Sequence, residues 1–191
     1  MIEQLHQLLK KYWGFDKFRD LQQEIIVSAI TNNDTLALLP TGGGKSICYQ
    51  LPAIYMNKLC LVISPLIALM KDQVQNLEKR GIPAAAIYSG MSFNEVDRLL
   101  DHAVFGKYRL LYVSPERLET DIFKARLEKL PLSMIAVDEA HCISEWGYDF
   151  RPSYLKIAKL KPWFPNIPFL ALTATATKEV QLDIIEKLEF K

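Results

Sequence analysis

The chain has 191 residues, and 50% of them are hydrophobic, which is enough to bury the core of one domain. Its formal net charge is +1, so no overall positive field attracts nucleic acid or an anionic membrane, and any such contact has to be local. The N-terminal stretch lacks a signal-peptide pattern, and no apolar run approaches the ~20 residues that span a bilayer.

The three cysteines, Cys48, Cys60 and Cys142, are isolated from one another and stand among apolar residues. None of them has the paired spacing that is typical of a zinc site. We therefore expect reduced cysteines packed in a core and a cytoplasmic protein.

In chain order, short apolar runs alternate with longer amphipathic stretches. The runs are continuously apolar, which is typical of parallel strands that are buried on both faces. They span residues 36–39, 59–63, 84–87, 110–113, 134–137 and 169–172. The amphipathic stretches include residues 68–80, 94–102, 121–129 and 178–188. This alternation predicts an α/β fold with a mainly parallel sheet and helices on both faces.

The first apolar run leads into a glycine-rich segment that opens a helix, Leu39-Pro40-Thr41-Gly42-Gly43-Gly44-Lys45-Ser46. Glycines let backbone N–H groups close around a polyphosphate, toward which the following helix directs its positive dipole end. Lys45 would reach the β- and γ-phosphates, and the Ser46 hydroxyl would bind Mg²⁺. Only the second half fits the standard phosphate-loop pattern, which has glycine where Leu39 stands. The alternative is a glycine-rich helix entry with a solvated lysine.

Polar residues follow each of the six runs. In parallel sheets, ligands bind beyond the carboxyl ends of the strands, so these groups are expected at one edge of the sheet. They are Thr41–Ser46, Ser64-Pro65-Leu66, Ser89-Gly90, Ser114–Arg117, Asp138-Glu139 and Thr173-Ala174-Thr175.

Two adjacent carboxylates, Asp138 and Glu139, end the fifth apolar run. In a phosphate-loop nucleotidase the first carboxylate organises Mg²⁺, and the second polarises the water that attacks the γ-phosphate. The alternative is an acidic pair that caps the next helix.

Together these segments resemble the superfamily 2 helicases, and in particular the RecQ family of DNA helicases, over nearly the whole chain. Asp138-Glu139-Ala140-His141 resembles their DEAH-type motif II, Thr41–Ser46 their motif I without its first glycine, and Thr173–Thr175 their motif III. The resemblance implies a RecA-like phosphate-loop fold that binds ATP and Mg²⁺. It also implies catalytic roles for Lys45, Asp138, Glu139 and His141, with Mg²⁺ held by Ser46 and Asp138.

The most specific segment is Cys142–Pro152, which resembles the aromatic-rich loop that follows motif II in RecQ proteins. In that family the loop senses single-stranded DNA and couples it to ATP hydrolysis. Aromatic side chains such as Trp146 and Phe150 can stack on bases, and Arg151 can contact phosphate. The alternative is an aromatic cluster packed into the core.

Residues 13–22 resemble RecQ motif 0, in which an aromatic ring stacks on adenine while Arg and Gln read its polar edge. The resemblance implies stacking by Phe15 and base contacts by Arg19 and Gln22, whose amide matches adenine. The family commonly has a Pro-Gly pair where this chain has Asp20-Leu21. The alternative is an N-terminal helix whose polar residues are solvated.

Ser64–Gln73 resembles motif Ia, and Ser114–Arg117 resembles a Pro-Glu-Arg motif on the strand-tracking side. The resemblance implies DNA-phosphate contacts by Ser64 and Pro65, and DNA contact or coupling by Thr173 and Thr175. The alternative for Ser64 and Ser114 is helix N-capping.

The sequence is therefore identified as the N-terminal RecA-like ATP-binding lobe of a 3′-to-5′ DNA helicase, with residues 1–33 as a helical motif 0 segment. The second RecA-like lobe with its arginine finger, the zinc-binding region and the winged-helix region are absent from the 191 residues. The isolated lobe is expected to be nearly inactive. Expected partners are single-stranded and duplex DNA and the second lobe, with no membrane. The alternatives are an RNA helicase lobe of the same superfamily and a non-catalytic ATP- or nucleic-acid-binding module.

Overall fold

A computed structural model describes residues 1–191. Six strands form one parallel sheet in the order β1-β6-β5-β2-β4-β3. The strands are β1 (Thr35–Leu38), β2 (Leu59–Ile63), β3 (Ala84–Ile87), β4 (Leu110–Val113), β5 (Leu132–Val137) and β6 (Phe169–Thr173). The helices are α1 (Ile2–Trp13), α2 (Gln22–Ile30), α3 (Ile47–Met56), α4 (Ile67–Lys79), α5 (Phe93–Val104), α6 (Asp121–Leu127) and α7 (Lys178–Lys187). Three 3₁₀ segments span Pro115–Glu119, Ala140–Ile143 and Pro152–Leu160.

The strands β2, β4, β5 and β6 are buried on both faces, as their continuous apolar runs predict, whereas β1 and β3, at the two edges of the sheet, are partly exposed. Along β2, Leu61 and Ile63 pack into one hydrophobic cluster, whereas Cys60 and Val62 pack into a second cluster on the opposite face. This division follows from the alternation of side chains along a strand. The parallel α/β fold with helices on both faces is confirmed.

The helices divide between the two faces. Buried residues of α2, α3 and α4 cover the face that includes Val62, and buried residues of α5, α6 and α7 cover the face that includes Leu61. Helix α1 lies outside the first layer and packs Leu5 and Leu9 against α2 and α3 in a small cluster of its own. The N-terminal segment is therefore attached to the helix that follows the glycine-rich loop.

The strand boundaries differ from the apolar runs in three strands: β1 spans Thr35–Leu38, β5 begins at Leu132, and β6 extends to Thr173. Leu39 lies just beyond β1, its N–H still donates to the Thr173 carbonyl of β6 at 3.1 Å, and Pro40, which has no N–H, follows it. The fifth strand begins at Leu132, two residues before the apolar run, because the Ser133 hydroxyl is buried and donates to the Leu59 carbonyl at 3.1 Å. A hydrogen bond across the sheet thus admits a polar residue into a buried strand.

All three cysteines are free and buried, as expected. No helix of the chain combines the length and apolar character required to cross a membrane.

Candidate functional site

The candidate residues meet at one edge of the sheet. Because all six strands are parallel, every segment that follows a strand begins at this edge. The strand order places the segments after β1, β6, β5 and β2 side by side, so the glycine-rich loop, Thr173–Thr175, Asp138-Glu139 and Ser64-Pro65 are neighbours in space.

A cavity of about 420 Å³ opens between the glycine-rich loop and Asp138-Glu139. It brings together predicted residues from three separate parts of the sequence. The lining residues are Phe15, Arg19, Thr41, Gly42, Gly44, Lys45, Ser46, Ile47, Leu69, Gln73, Asp138 and Glu139.

The loop needs its glycines for conformation and for close approach. Gly42 and Gly44 have φ values of +75° and +77°, which side-chain-bearing residues rarely adopt. A Cβ on Gly43 would lie 2.8 Å from the Pro40 carbonyl oxygen, to which the Gly43 N–H donates. The loop is therefore a tight turn that leads directly into α3.

Two motif 0 residues bond to this loop. Gln22 is 2% exposed, and its side-chain amide donates to the Gly44 carbonyl at 3.1 Å, while its Oε1 accepts from the Arg19 N–H at 2.8 Å. The Arg19 guanidinium donates to the Gly42 carbonyl. Phe15 is 45% exposed and lines the same cavity. Motif 0 thus meets the glycine loop, and the reading of adenine by Arg19 and Gln22 stays a prediction.

Asp138 is a buried carboxylate at the end of β5. Burial, and next the negative charge of Glu139, raise its pKa to about 6, while the positive charge of Lys45 acts in the opposite direction. Its Oδ1 accepts from the Glu139 N–H at 3.0 Å. The Glu139 N–H and the Lys45 charge therefore offset only part of the desolvation of this carboxylate.

Glu139 has φ 49° and ψ 46°, a left-handed conformation that is rare for a residue with a side chain. The turn re-aims the chain after the strand, so Glu139 reaches both the cavity and His141, whose Nδ1 lies 3.4 Å from Glu139 Oε2. Neither carboxylate caps the following 3₁₀ segment through its side chain, so the capping alternative is wrong.

His141 connects three motifs. It is 3% exposed, and burial lowers the pKa of its imidazole, which favours the neutral form. Its Nδ1 lies 2.8 Å from the hydroxyl of Thr173 at the end of the neighbouring strand. That hydroxyl also lies 3.2 Å from the Thr175 carbonyl, and when it donates there it can accept from a protonated His141 Nδ1.

The aromatic-rich loop is on the surface. Trp146 and Tyr148 are 78% and 79% exposed, so the core-packing alternative is wrong for both. The Tyr148 ring stacks on His141 at 4.9 Å, and its hydroxyl lies 3.4 Å from that of Thr175. Phe150 is half-buried beneath the Lys187 ammonium, and Arg151 pairs with Asp149 at 3.2 Å.

The side chains of the two serines after β2 and β4 do not cap the helices that follow them. Ser64 and Ser114 are buried, their hydroxyls have no hydrogen-bond partner, and neither caps a helix through its side chain. Helix α4 begins only at Ile67, after the half-buried Pro65. The capping alternative is wrong, and phosphate contact by Ser64 or Pro65 stays a prediction.

Sequence reasoning missed a polar network behind the loop. The Gln50 amide donates to Gln73 Oε1 at 2.8 Å and to the Tyr112 hydroxyl at 3.1 Å, and Gln73 lines the cavity. The Tyr154 hydroxyl donates to the Asp138 carbonyl at 2.9 Å and fixes the end of β5. In the sequence, the one sign of this network is the presence of polar residues within otherwise apolar segments.

Comparison with known proteins agrees with this geometry. Residues 19–182 match the DEAD/DEAH box helicase family. The probable ATP-dependent DNA helicase RecS of Bacillus subtilis is 47% identical over the whole chain, and the ATP-dependent DNA helicase RecQ of Haemophilus influenzae is 45% identical over 96% of it. A putative ATP-dependent RNA helicase of Acanthamoeba polyphaga mimivirus is 44% identical over 99%.

The chain spans 38%, 30% and 34% of these three relatives, respectively. The crystal structure of the helicase MrfA bound to DNA superposes with a TM-score of 0.74 at 19% identity, over 96% of this chain and 28% of that one, which shows a shared fold. The similarity to RecQ proteins that the motifs predict is confirmed. The chain belongs to the DEAD/DEAH box helicase family.

Proposed function

We propose that this chain is the ATP-binding lobe of a RecQ-type DNA helicase, which couples ATP hydrolysis to 3′-to-5′ movement on single-stranded DNA and to duplex unwinding. One observation carries the proposal: a single cavity joins Phe15 of motif 0, Lys45 of the glycine loop and the Asp138-Glu139 pair. One ATP molecule could then meet all three groups: the stacking residue at its base, the glycine loop and Lys45 at its phosphates, and the acidic pair at the attacking water.

The residues present fit ATP and Mg²⁺. The donor set is the Ser46 hydroxyl and the Asp138 carboxylate, both oxygen ligands of the kind that Mg²⁺ binds. Asp138 is buried, and a cation would offset the desolvation that raises its pKa. When bound, Mg²⁺ neutralises charge on the β- and γ-phosphates.

Each residue of the cavity then has a distinct task. The backbone N–H groups of Gly42, Gly44, Lys45 and Ser46 and the Lys45 ammonium bind the phosphates, and Phe15 stacks on the base, whereas the Gly43 N–H is engaged by the Pro40 carbonyl. Glu139 orients the attacking water, and the left-handed turn at this residue holds its carboxylate toward the cavity. Arg19 and Gln22 hold the loop through the Gly42 and Gly44 carbonyls, and Arg19 also lines the cavity, where it would meet the polar edge of adenine.

A path of contacts supports coupling between DNA and the nucleotide. Tyr148 of the exposed aromatic-rich loop stacks on His141, and His141 contacts both Glu139 and Thr173. A base that stacks on Trp146 or Tyr148 would displace the Tyr148 ring and thereby alter the position of His141. Thr173 is fully buried, so its role is coupling, whereas the exposed Thr175 can meet DNA.

Binding of Mg²⁺–ATP to residues 1–191 tests the proposal in its simplest form. Lys45→Ala should weaken binding at least tenfold because a phosphate-binding cation is lost, whereas Lys129→Ala, at an exposed position outside the cavity, should bind normally. Equal binding by both variants would contradict the proposed site. Hydrolysis by residues 1–191 alone should be slow, since a missing arginine finger costs roughly 10³–10⁵ in rate.

RNA is the alternative substrate, and one relative is named as a putative RNA helicase. The exposed Trp146 and Tyr148 favour binding of single-stranded DNA or RNA alike, because an aromatic ring stacks on the base and not on the sugar that distinguishes the two. ATP hydrolysis by the full-length protein, measured with equal lengths of single-stranded DNA and RNA, separates the two. Trp146→Ala should reduce DNA stimulation without changing the unstimulated rate, and stimulation by RNA alone would assign the RNA substrate.

A further inference from the structure

A soft donor cluster lies at the base of the aromatic-rich loop, on the side of His141 away from Thr173. The Cys142 Sγ lies 3.8 Å from His141 Nε2 and 3.7 Å from Asp149 Oδ2. One ligand atom from each residue lies within 4.8 Å of the others. The cluster is distinct from the Ser46 and Asp138 donors assigned above to Mg²⁺.

We propose that His141, Cys142 and Asp149 form a binding site for a thiophilic divalent transition metal such as Zn²⁺. In a tetrahedral zinc shell, the usual bond lengths of about 2.3 Å to sulfur and 2.0 Å to nitrogen place those two atoms about 3.5 Å apart. The observed separation of 3.8 Å between Cys142 Sγ and His141 Nε2 needs only a small contraction. Three protein ligands leave the fourth position to water.

The tautomer of His141 suits metal binding. When Nδ1 carries the proton it donates to the Thr173 hydroxyl, which can donate in turn to the Thr175 carbonyl, and Nε2 then directs its lone pair toward Cys142. A hydrogen bond from the second ring nitrogen is the usual support of a histidine ligand. Glu139 Oε2, 3.4 Å from Nδ1, strengthens this support.

The chemistry of the donors selects the metal. An imidazole nitrogen with a sulfur donor suits Zn²⁺ or Co²⁺ and not Mg²⁺, which prefers oxygen. On coordination the Cys142 thiol releases its proton to solvent. Asp149 is partly exposed and gives the metal access to the otherwise buried His141 and Cys142. Its carboxylate also pairs with Arg151, which stays beside the site as a competing cation.

Metal binding would join the two ends of the segment from Cys142 to Asp149. Trp146 and Tyr148 lie within this segment, and His141 is anchored on Thr173. An occupied site would therefore hold the exposed aromatic residues against motif II and slow their movement. Sequence spacing gave no sign of the site, because Asp149 reaches Cys142 only through the turn of the loop.

Titration of reduced residues 1–191 with Co²⁺ tests the site without ATP or DNA. One equivalent of Co²⁺ should produce a thiolate-to-cobalt charge-transfer absorption band. Added Zn²⁺ should abolish the band by replacing the cobalt, whereas excess Mg²⁺ should leave it unchanged. Cobalt bound at Ser46 and Asp138 would lack this band, since that site has no sulfur. Absence of the band, or its removal by Mg²⁺, would overturn the proposal.

Variants locate the metal and guard against misfolding. Cys142→Ser should abolish the band, and Asp149→Asn, at a partly exposed position, should weaken cobalt binding at least tenfold. Cys60→Ala, at a buried thiol outside the cluster, should retain it. Zn²⁺ should slow amide hydrogen exchange in residues 144–150 of the parent chain. It should leave the exchange of the same residues unchanged in Cys142→Ser. Persistence of the band in Cys142→Ser, or unchanged affinity in Asp149→Asn, would overturn the assignment.

Discussion

The Gln22 side-chain amide donates to the Gly44 carbonyl at 3.1 Å, so the first residue of α2 holds the loop that leads into α3. Gly44 accommodates this contact because it lacks a side chain: an added Cβ would lie 2.3 Å from Gln22 Nε2. The N-terminal segment therefore supports the glycine-rich loop from outside the cavity.

Gln22→Ala distinguishes loop support from base reading. If Gln22 acts mainly on the loop, the affinities for ATP and GTP should both fall by about tenfold, because one buried hydrogen bond is lost and the Gly44 carbonyl is left unpaired. If it reads adenine, only the preference for ATP over GTP falls. We expect the common loss to dominate, measured by titration with both nucleotides. Unchanged affinity for both would contradict either role.

Leu21→Gly should stabilise the fold. Leu21 has φ 65°, a left-handed conformation at the position where the RecQ pattern commonly has glycine, and its side chain is 55% exposed. Relief of this backbone strain exceeds the entropy cost of glycine, so the free energy of unfolding should rise by about 0.5–1 kcal/mol.

Urea unfolding of Leu21→Gly measures this gain. The matched control is Leu182→Gly, at an exposed position inside α7, which should lower the free energy of unfolding by about 1 kcal/mol. A loss of stability in Leu21→Gly would show that the left-handed turn is not strained.

Asp138→Asn should stabilise the chain near neutral pH in the absence of Mg²⁺. The folded-state pKa of about 6 exceeds the ordinary value of 3.8, so ionisation of Asp138 disfavours folding. This cost is complete above about pH 6 and vanishes below about pH 4, and it amounts to at most about 3 kcal/mol.

Urea unfolding at both ends of this pH range measures whether Asp138→Asn raises or lowers the free energy of unfolding. The stability of Asp138→Asn should exceed that of the parent at neutral pH and converge with it in acid. The same variant should lose ATP hydrolysis, because it removes the carboxylate that we propose as the Mg²⁺ ligand. Equal stability at neutral pH would contradict the buried, ionised state of Asp138.

The buried ion pair between Asp34 and Lys161 should stabilise the end of the sheet. Both side chains are almost fully buried, and Asp34 also accepts from the Phe169 N–H at 2.8 Å. Asp34→Asn leaves the Lys161 charge unpaired and should cost about 3–5 kcal/mol in thermal or urea unfolding.

The double variant Asp34→Asn with Lys161→Met should recover much of this loss. The Lys161 ammonium lies 4.6 Å from the centre of the Phe169 ring, so an apolar side chain fits there, and Asn still accepts from Phe169. Asp16→Asn in the exposed Lys10 pair should leave stability unchanged. Additive losses in the double variant would show that the two charges do not interact.

The strands were predictable from the sequence because residues such as Leu61 and Val62 are buried on opposite faces and leave an uninterrupted apolar run. The positions of Lys45, Asp138 and Thr173 at one edge follow from parallel pairing alone. The strand order, which makes β6 the neighbour of β5 and brings Thr173 to His141, depends on crossover packing that no local pattern encodes.

Long-range side-chain contacts were also beyond the sequence. The contact of Gln22 with Gly44 depends on how α2 packs against α3, and the burial of the Ser64 and Ser114 hydroxyls depends on neighbouring strands. Pro152–Leu160 forms a 3₁₀ segment that was not predicted, and its buried residues Tyr154, Ile157 and Leu160 recur at every third position, the repeat of a 3₁₀ helix. Local propensity is weak there, and packing determines the conformation.

ATP hydrolysis by the full-length protein, with and without single-stranded DNA, tests the central claim most directly. The parent protein should be stimulated strongly by DNA, Lys45→Ala should lose hydrolysis under both conditions, and Lys129→Ala should match the parent. Hydrolysis that survives Lys45→Ala would contradict the assignment of the glycine loop as the ATP-phosphate site.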